Sequence, residues 1–272
     1  MTCAWKELLS ILPLWLRQEV DRLESLQELR LRLGRPVEWI TAQKIGYIDR
    51  EVRREDLQFC VNTASRYSPW TASTVVKGYL TAPGGHRIGL CGEVACRDGE
   101  IQTIREIHAL NIRVARDFPG IARTIPTTGS VLIIGPPGWG KTTLLRDLAR
   151  EIAKRETVSV VDERGELFPP GFERGNRMDV MLGCPKAEGI DMVLRSMGPA
   201  WIALDEITSS EDTAALLHSV GCGVQLLATA HGSSVADLRS RSVYKPIWDN
   251  RIFQTILVMN RNKTFYTERT CL

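Results

Sequence analysis

Apolar and polar positions along this chain follow two rhythms. In the first, short alternating runs dominate: Leu29-Arg30-Leu31-Arg32-Leu33 steps between apolar and basic residues, the period-two signature of a half-exposed strand. Ile107 to Arg116 alternates again, and Arg53 to Arg66 reads as a helix. Thr81 to Ala95 is glycine-rich and predicts a hairpin, with Asp98-Gly99 as a further turn. Upstream, Leu8 to Leu16 is apolar but too short to span a bilayer, and Pro13 interrupts it. Lys6-Glu7 and the lack of a small-residue cleavage site argue against a signal peptide, so an amphipathic cap helix is expected there.

The second rhythm is one of solid apolar blocks: Val131–Ile134, Val158–Val161, Trp201–Leu204, Val224–Ala228 and Ile252–Val258. Helical patterns separate most of them, and Thr143 to Arg155 places Leu144, Leu145, Leu148 and Ile152 at helical spacing. Strands apolar on every position are buried on both faces, so these blocks predict βαβ units and a parallel sheet covered by helices. Turn formers gather from Phe118-Pro119-Gly120 to Gly129-Ser130. They divide the chain into a smaller α+β domain, 1–123, and an α/β domain, 124–272.

Composition alters this picture little. Apolar residues at 43% suffice for a sizeable core, and a net charge of +3 makes no case for nucleic acid. Seven scattered cysteines form no C-x-x-C pair, so neither a disulfide framework nor a zinc module is indicated, which suggests reduced thiols in a cytosolic protein.

The chemistry is concentrated in the second domain. Gly135-Pro136-Pro137-Gly138-Trp139-Gly140-Lys141-Thr142 fits the phosphate-loop pattern of Gly, four variable residues, Gly, Lys, Ser/Thr. It lies between an apolar strand and a helix, the context such a loop requires. Its glycines let backbone N–H groups turn toward phosphate oxygens. Lys141 is expected on the β- and γ-phosphates, and Thr142, followed by Thr143, on Mg²⁺. Trp201-Ile202-Ala203-Leu204-Asp205-Glu206 ends a buried strand in two carboxylates: Asp205 suits Mg²⁺ through its water shell, and Glu206 suits a general base for attacking water. Asp162-Glu163 and His231 end two further strands, and ligands of open α/β sheets bind beyond such ends. His231 is placed to sense a γ-phosphate. Arg87, Arg105, Arg113, Arg116, Arg239 and Arg241 are candidates to offset transition-state charge from a neighbouring subunit. The expected cofactors are ATP and Mg²⁺.

Together these residues resemble a known group. Asp162-Glu163-Arg164-x-Glu166 is similar to the acidic box of the type II/type IV secretion ATPase superfamily, and Ala228-Thr229-Ala230-His231-Gly232 to its histidine box. Within it, Glu28 to Pro36, Pro83 to Gly92 and Gly135 to Arg150 resemble the stage III sporulation protein AA family, over nearly the full length. The resemblance implies a RecA-like ATPase domain preceded by the α+β domain. It implies a cytoplasmic ATPase in the mother cell of an endospore-forming bacterium. That ATPase would form a hexameric ring with each N-terminal domain on a neighbour's ATPase domain. It would act with membrane proteins at a trans-envelope channel, held at the membrane only through those partners. Carried over residue by residue, it gives Lys141 and Thr142 to phosphate and Mg²⁺, Asp205 and Glu206 to metal and water, and Glu163 and His231 to accessory roles. The cysteine-rich metal module of some type II relatives is absent, and the tail from Asn260 departs from the pattern. Two other readings are a single-strand nucleic-acid-binding module and a non-hydrolysing scaffold. The first lacks a basic run or an aromatic stacking series, and Glu206 speaks against the second.

Overall fold

The computed structural model describes residues 5–23, 25–41, 43–65, 75–76, 78–169 and 172–269; Cys3, Arg66 and Cys271 lie outside them. The chain forms two compact units, Met1–Asp117 with Pro169–Phe172, and Phe118–Phe168 with Glu173–Leu272.

In the first unit the apolar stretch near the start becomes two short helices, α1 (Trp5–Ser10) and α2 (Leu14–Val20), because Pro13 lacks the N–H that a continuous helix needs. Leu8, Ile11, Leu12, Leu16 and Val20 are fully buried, so the pair belongs to the core. The strands are β1 (Leu26–Arg32), β2 (Pro36–Thr41) and β3 (Ile45–Glu51), then, after α3 (Arg54–Ala64), β4 (Tyr79–Thr81), β5 (Arg87–Arg97) and β6 (Glu100–Arg113). They make one antiparallel sheet in the order β3-β2-β1-β6-β5-β4. Register aligns the alternation: Leu29 lies opposite Ile112 and Leu31 opposite Leu110, so the apolar positions share the face covered by the helices. The β5–β6 turn is Asp98-Gly99 with both φ positive, the conformation a two-residue hairpin demands.

In the second unit, β7 (Val131–Ile134), α4 (Lys141–Ile152), β8 (Val158–Asp162), β9 (Met178–Leu182), α5 (Lys186–Ser196), β10 (Trp201–Leu204), α6 (Ser210–Gly221) and β11 (Gln225–Ala230) are followed by α7 (Val235–Arg239), α8 (Lys245–Asp249), β12 (Thr255–Met259) and β13 (Phe265–Arg269). The sheet order is β13-β12-β7-β11-β10-β8-β9, parallel throughout except for β13, which pairs antiparallel with β12 at one edge. Each central strand is apolar on both sides because each side meets a helix layer. Val131 and Ile133 pack toward Leu144, Leu145 and Leu148 of α4, whereas Leu132 and Ile134 pack with Ile190 of α5 and Leu216 of α6.

The stretch 118–123 packs with the second unit, whereas the turn-former pattern puts it with the first domain. The reason is Asp147 of α4. Its buried carboxylate accepts the N–H groups of Gly120 (2.9 Å) and Ala122 (2.8 Å) and holds Arg150 Nη1 at 2.6 Å, while Ala122 joins the α4-side core. Replacing Asp147 by Ala removes two backbone partners and the carboxylate beside a buried guanidinium. Chemical denaturation is expected to show a loss of about 3–5 kcal/mol; a loss under about 1 kcal/mol would refute this account of the boundary.

Candidate functional site

The parallel register decides what meets at the carboxyl rim of the second sheet. Leu204 of β10 lies opposite Val161 of β8 and Ala228 of β11, so the next residues, Asp205, Asp162 and Thr229, emerge side by side. Ile134 of β7 lies opposite Ala230, which brings the Gly135–Gly140 loop beside the residues before His231. A cleft at this rim is lined by Asp162, Glu163, Arg164, Lys186, Asp205 and Glu206.

The loop itself turns on two glycines with positive φ, Gly138 (78°) and Gly140 (97°), the second capping α4. At Gly135 a Cβ would stand 2.9 Å from Met259 Cβ, so only glycine fits between β12 and the Lys141 stem. Pro136 and Pro137 carry no N–H, so donors at the loop come from Gly138 onward, including the first turn of α4, whose N–H groups have no partner within the helix. Trp139 packs against the α4-side core, which gives it an anchoring role in the loop.

The side chains form one connected network. Lys141, 6% exposed, donates from Nζ to the Pro136 carbonyl (3.1 Å) and lies 3.1 Å from His231 Nδ1. A lysine ammonium can only donate, so Nδ1 accepts and the imidazole proton sits on Nε2, 3.1 Å from Glu206 Oε1. Thr142 Oγ1 donates to Asp205 Oδ2 (2.8 Å). Thr229 Oγ1 donates to Asp205 Oδ1 (2.6 Å) and accepts the Glu206 N–H (2.8 Å). Glu206 has φ of 56°, a left-handed conformation uncommon for a side chain of this size. Such strain persists only where neighbours over-determine it. Here the Thr229 hydroxyl and the Ile207 N–H bond to Thr229 O (2.9 Å) do so from both sides of the residue.

Asp162 is spent on its own loop. Its carboxylate accepts the N–H groups of Glu166, Leu167 and Phe168, while burial pushes its pKa above the usual aspartate value against those bonds. Glu163 points instead to Lys186, at 3.3 Å. Burial holds Lys141 below the ordinary lysine pKa, opposed by the charges of Asp205 and Glu206.

Of the arginine candidates, Arg241 clamps Asp237 with three bonds and donates to the His231 carbonyl (2.8 Å), behind the network. Arg239 lies over the Trp248 ring, Arg87 over the Tyr79 ring, and Arg113 3.7 Å from Glu28. Three participants have no role in the sequence reading, which names Arg164 and Thr229 only as members of the acidic and histidine boxes. Arg164 reaches Glu206 at 3.7 Å, Thr229 joins the Asp205 carboxylate to the Glu206 N–H, and Lys186 lines the cleft. Thr229 carried a usable signal, since a buried hydroxyl at a strand end beside an acidic pair needs a partner, and Arg164 carried one in its place within the acidic box; Lys186 carried none.

The model of the family described as "Sporulation stage III, protein AA" matches residues 6–269. The chain belongs to this family. It is 38% identical to the stage III sporulation protein AA of Bacillus subtilis over 280 residues, covering 94% of this chain and 91% of that protein. It is 30% identical to the protein SEEDLING PLASTID DEVELOPMENT 1 of Arabidopsis thaliana over 246 residues, covering 85% of this chain but 34% of that one. Among solved structures it is similar to the Legionella pneumophila ATPase DotB (TM-score 0.63, 18% identity, 95% of this chain and 80% of that chain). It is also similar to the pilus retraction motor PilT with bound ADP (TM-score 0.64, 15% identity, 89% and 76%). Likeness at this identity establishes the fold alone: a RecA-like α/β unit preceded in the chain by an α+β unit. Among the described residues no helix is long and apolar enough to cross a membrane.

The pKa direction of Lys141 has a consequence for stability. A lysine whose folded pKa is depressed opposes folding while charged, and that penalty fades as pH rises through the folded value toward the unfolded one, 10.5. Without nucleotide, a Lys141→Met variant is expected to melt no lower than the wild-type chain. The wild type should gain on it between neutral pH and about 10.5. Melting curves in which the variant is the less stable chain at neutral pH contradict this.

Proposed function

We propose that this chain is an ATPase whose hydrolytic site is the rim of the second sheet. One observation supports the reading above the others: Lys141, Thr142, Asp205, Glu206 and His231, drawn from three separate stretches of sequence, join in one hydrogen-bonded network beside a helix N-terminus. The residues suit the group they would hold. Backbone donors from Gly138 onward and the Lys141 ammonium suit phosphates, with Thr143 on the same first turn of α4, and the Thr142 hydroxyl with the Asp205 carboxylate is an oxygen pair of the kind Mg²⁺ takes. Bound ATP·Mg²⁺ supplies the phosphoryl centre and neutralises part of its charge.

The roles follow from the geometry. Lys141 leaves His231 Nδ1 for phosphate oxygen, which frees the imidazole to report on the γ-position. Glu206, held at its left-handed bend by Thr229, orients and deprotonates the attacking water. Glu163 supports from the neighbouring loop. The turnover so produced would serve a sporulation channel in the envelope, with the chain acting as a hexameric ring in the cytoplasm and reaching the membrane through partner proteins.

Lys141→Ala is expected to abolish measurable MgATP binding and lower turnover on the order of 100-fold or more. Glu206→Gln should bind MgATP within about threefold of wild type yet turn over about 10²- to 10⁴-fold more slowly. Isothermal titration and phosphate release on both variants separate the roles; undiminished turnover in Lys141→Ala ends the proposal.

A further inference from the structure

Lys186 is the first residue of α5, and only 7% of it is exposed. Its Nζ lies 3.3 Å from Glu163 Oε2, 3.4 Å from Asp212 Oδ2 and 3.2 Å from Thr208 Oγ1. The Thr208 contact is a hydrogen bond, and the two carboxylates make ion pairs with the ammonium. They come from two separate pieces of the rim: Glu163 follows β8, while Thr208 lies just before α6 and Asp212 in its first turn, shortly after Glu206. The α6 side is already rigid. Asp212 accepts the N–H groups of Thr208 (2.9 Å) and Ser209 (3.2 Å), and Tyr244 donates to the Ile207 carbonyl (2.7 Å). Glu163 is the loose member: its side chain is 41% exposed, and its ion pair among the described residues is with Lys186. A buried cation is unfavourable unless paired, and at the start of a helix it also opposes the helix dipole. An uncharged residue would fill this place at less cost if only packing were needed.

We propose that Lys186 is a positioning residue. It ties the Glu163 carboxylate to the rigid start of α6, so that Glu163 and Glu206 address one bound nucleotide from fixed places. The inference rests on the hydrolytic reading above and adds to it a residue that touches neither phosphate nor metal.

The test uses the full chain with MgATP and four proteins: Lys186→Met, Lys186→Arg, Glu163→Gln and the double variant Glu163→Gln/Lys186→Met. Lys186→Met should lower kcat about 10- to 100-fold with KM within about threefold, and Lys186→Arg should recover most of the loss. The double variant should be no more than about threefold slower than the slower single variant, since either change breaks the same tie. Unchanged kcat in Lys186→Met, or losses that multiply in the double variant, overturn the inference. Melting temperatures exclude simple unfolding, and Asp212 keeps its backbone bonds without Lys186. If the wild type turns over no ATP, the hydrolytic reading falls instead. The tie is then read from amide exchange: faster exchange in both 163–166 and 206–209 of Lys186→Met upholds it, and unchanged exchange refutes it.

Discussion

Parallel pairing in register is the constraint on which the rest of this molecule depends. Four strands separated by long stretches of chain must end at the same level before any of their following residues can meet. Leu204 against Val161 and Ala228, and Ala230 against Ile134, fix that level. A slip of one residue would send the apolar set of a strand to the opposite helix layer and would displace its terminal polar residue from the rim. Packing on both faces therefore protects the site's geometry without contacting it. The alternation of Val131 and Ile133 against Leu132 and Ile134 is a condition for Lys141 and His231 to lie 3.1 Å apart.

Around that frame, charge is arranged so that no ionic side chain at the rim stands isolated. Lys141 leans on His231, His231 on Glu206, Glu206 on Arg164, and Thr142 and Thr229 share Asp205. The imidazole stands between Lys141 and Glu206, Arg164 faces Glu206 directly, and a single imidazole tautomer satisfies the sequence of bonds. The left-handed Glu206 belongs to the same economy of space: an ordinary strand continuation would carry its carboxylate along β10, whereas the bend turns it back toward His231.

Much of this was legible in the sequence because it is written in local, repeating form. Apolar blocks name buried strands whatever their neighbours, and Gly135 to Thr142 encodes a loop conformation in its glycines. Asp205-Glu206 and His231 were legible because each directly follows such a block. What escaped was non-local. The edge strands β9 and β13 mix polar with apolar positions, since one side of each lacks a full partner layer, so no pattern separates them from loops. The unit boundary depends on Asp147 reaching back to Gly120 and Ala122, contacts that no spacing announces. Lys186 is one among 35 basic residues, and only the folded rim distinguishes it from a solvated charge. Leu8 to Leu16 was recognisably helical in character, but the core that its apolar side joins depends on a sheet built from residues far downstream.

The bond between Lys141 and His231 has a kinetic meaning as well. A ligand that claims Lys141 does not meet a bare cation; it displaces a partner already at hydrogen-bonding distance. Affinity at such a site is the difference between two sets of bonds, and the protein's own set is waiting to re-form when the ligand loosens. Internal competition of this kind shortens residence time without weakening the geometry of the bound state. In the hydrolytic cycle we propose, one molecule must leave before the next enters, and ease of release is then as much a product of the fold as grip.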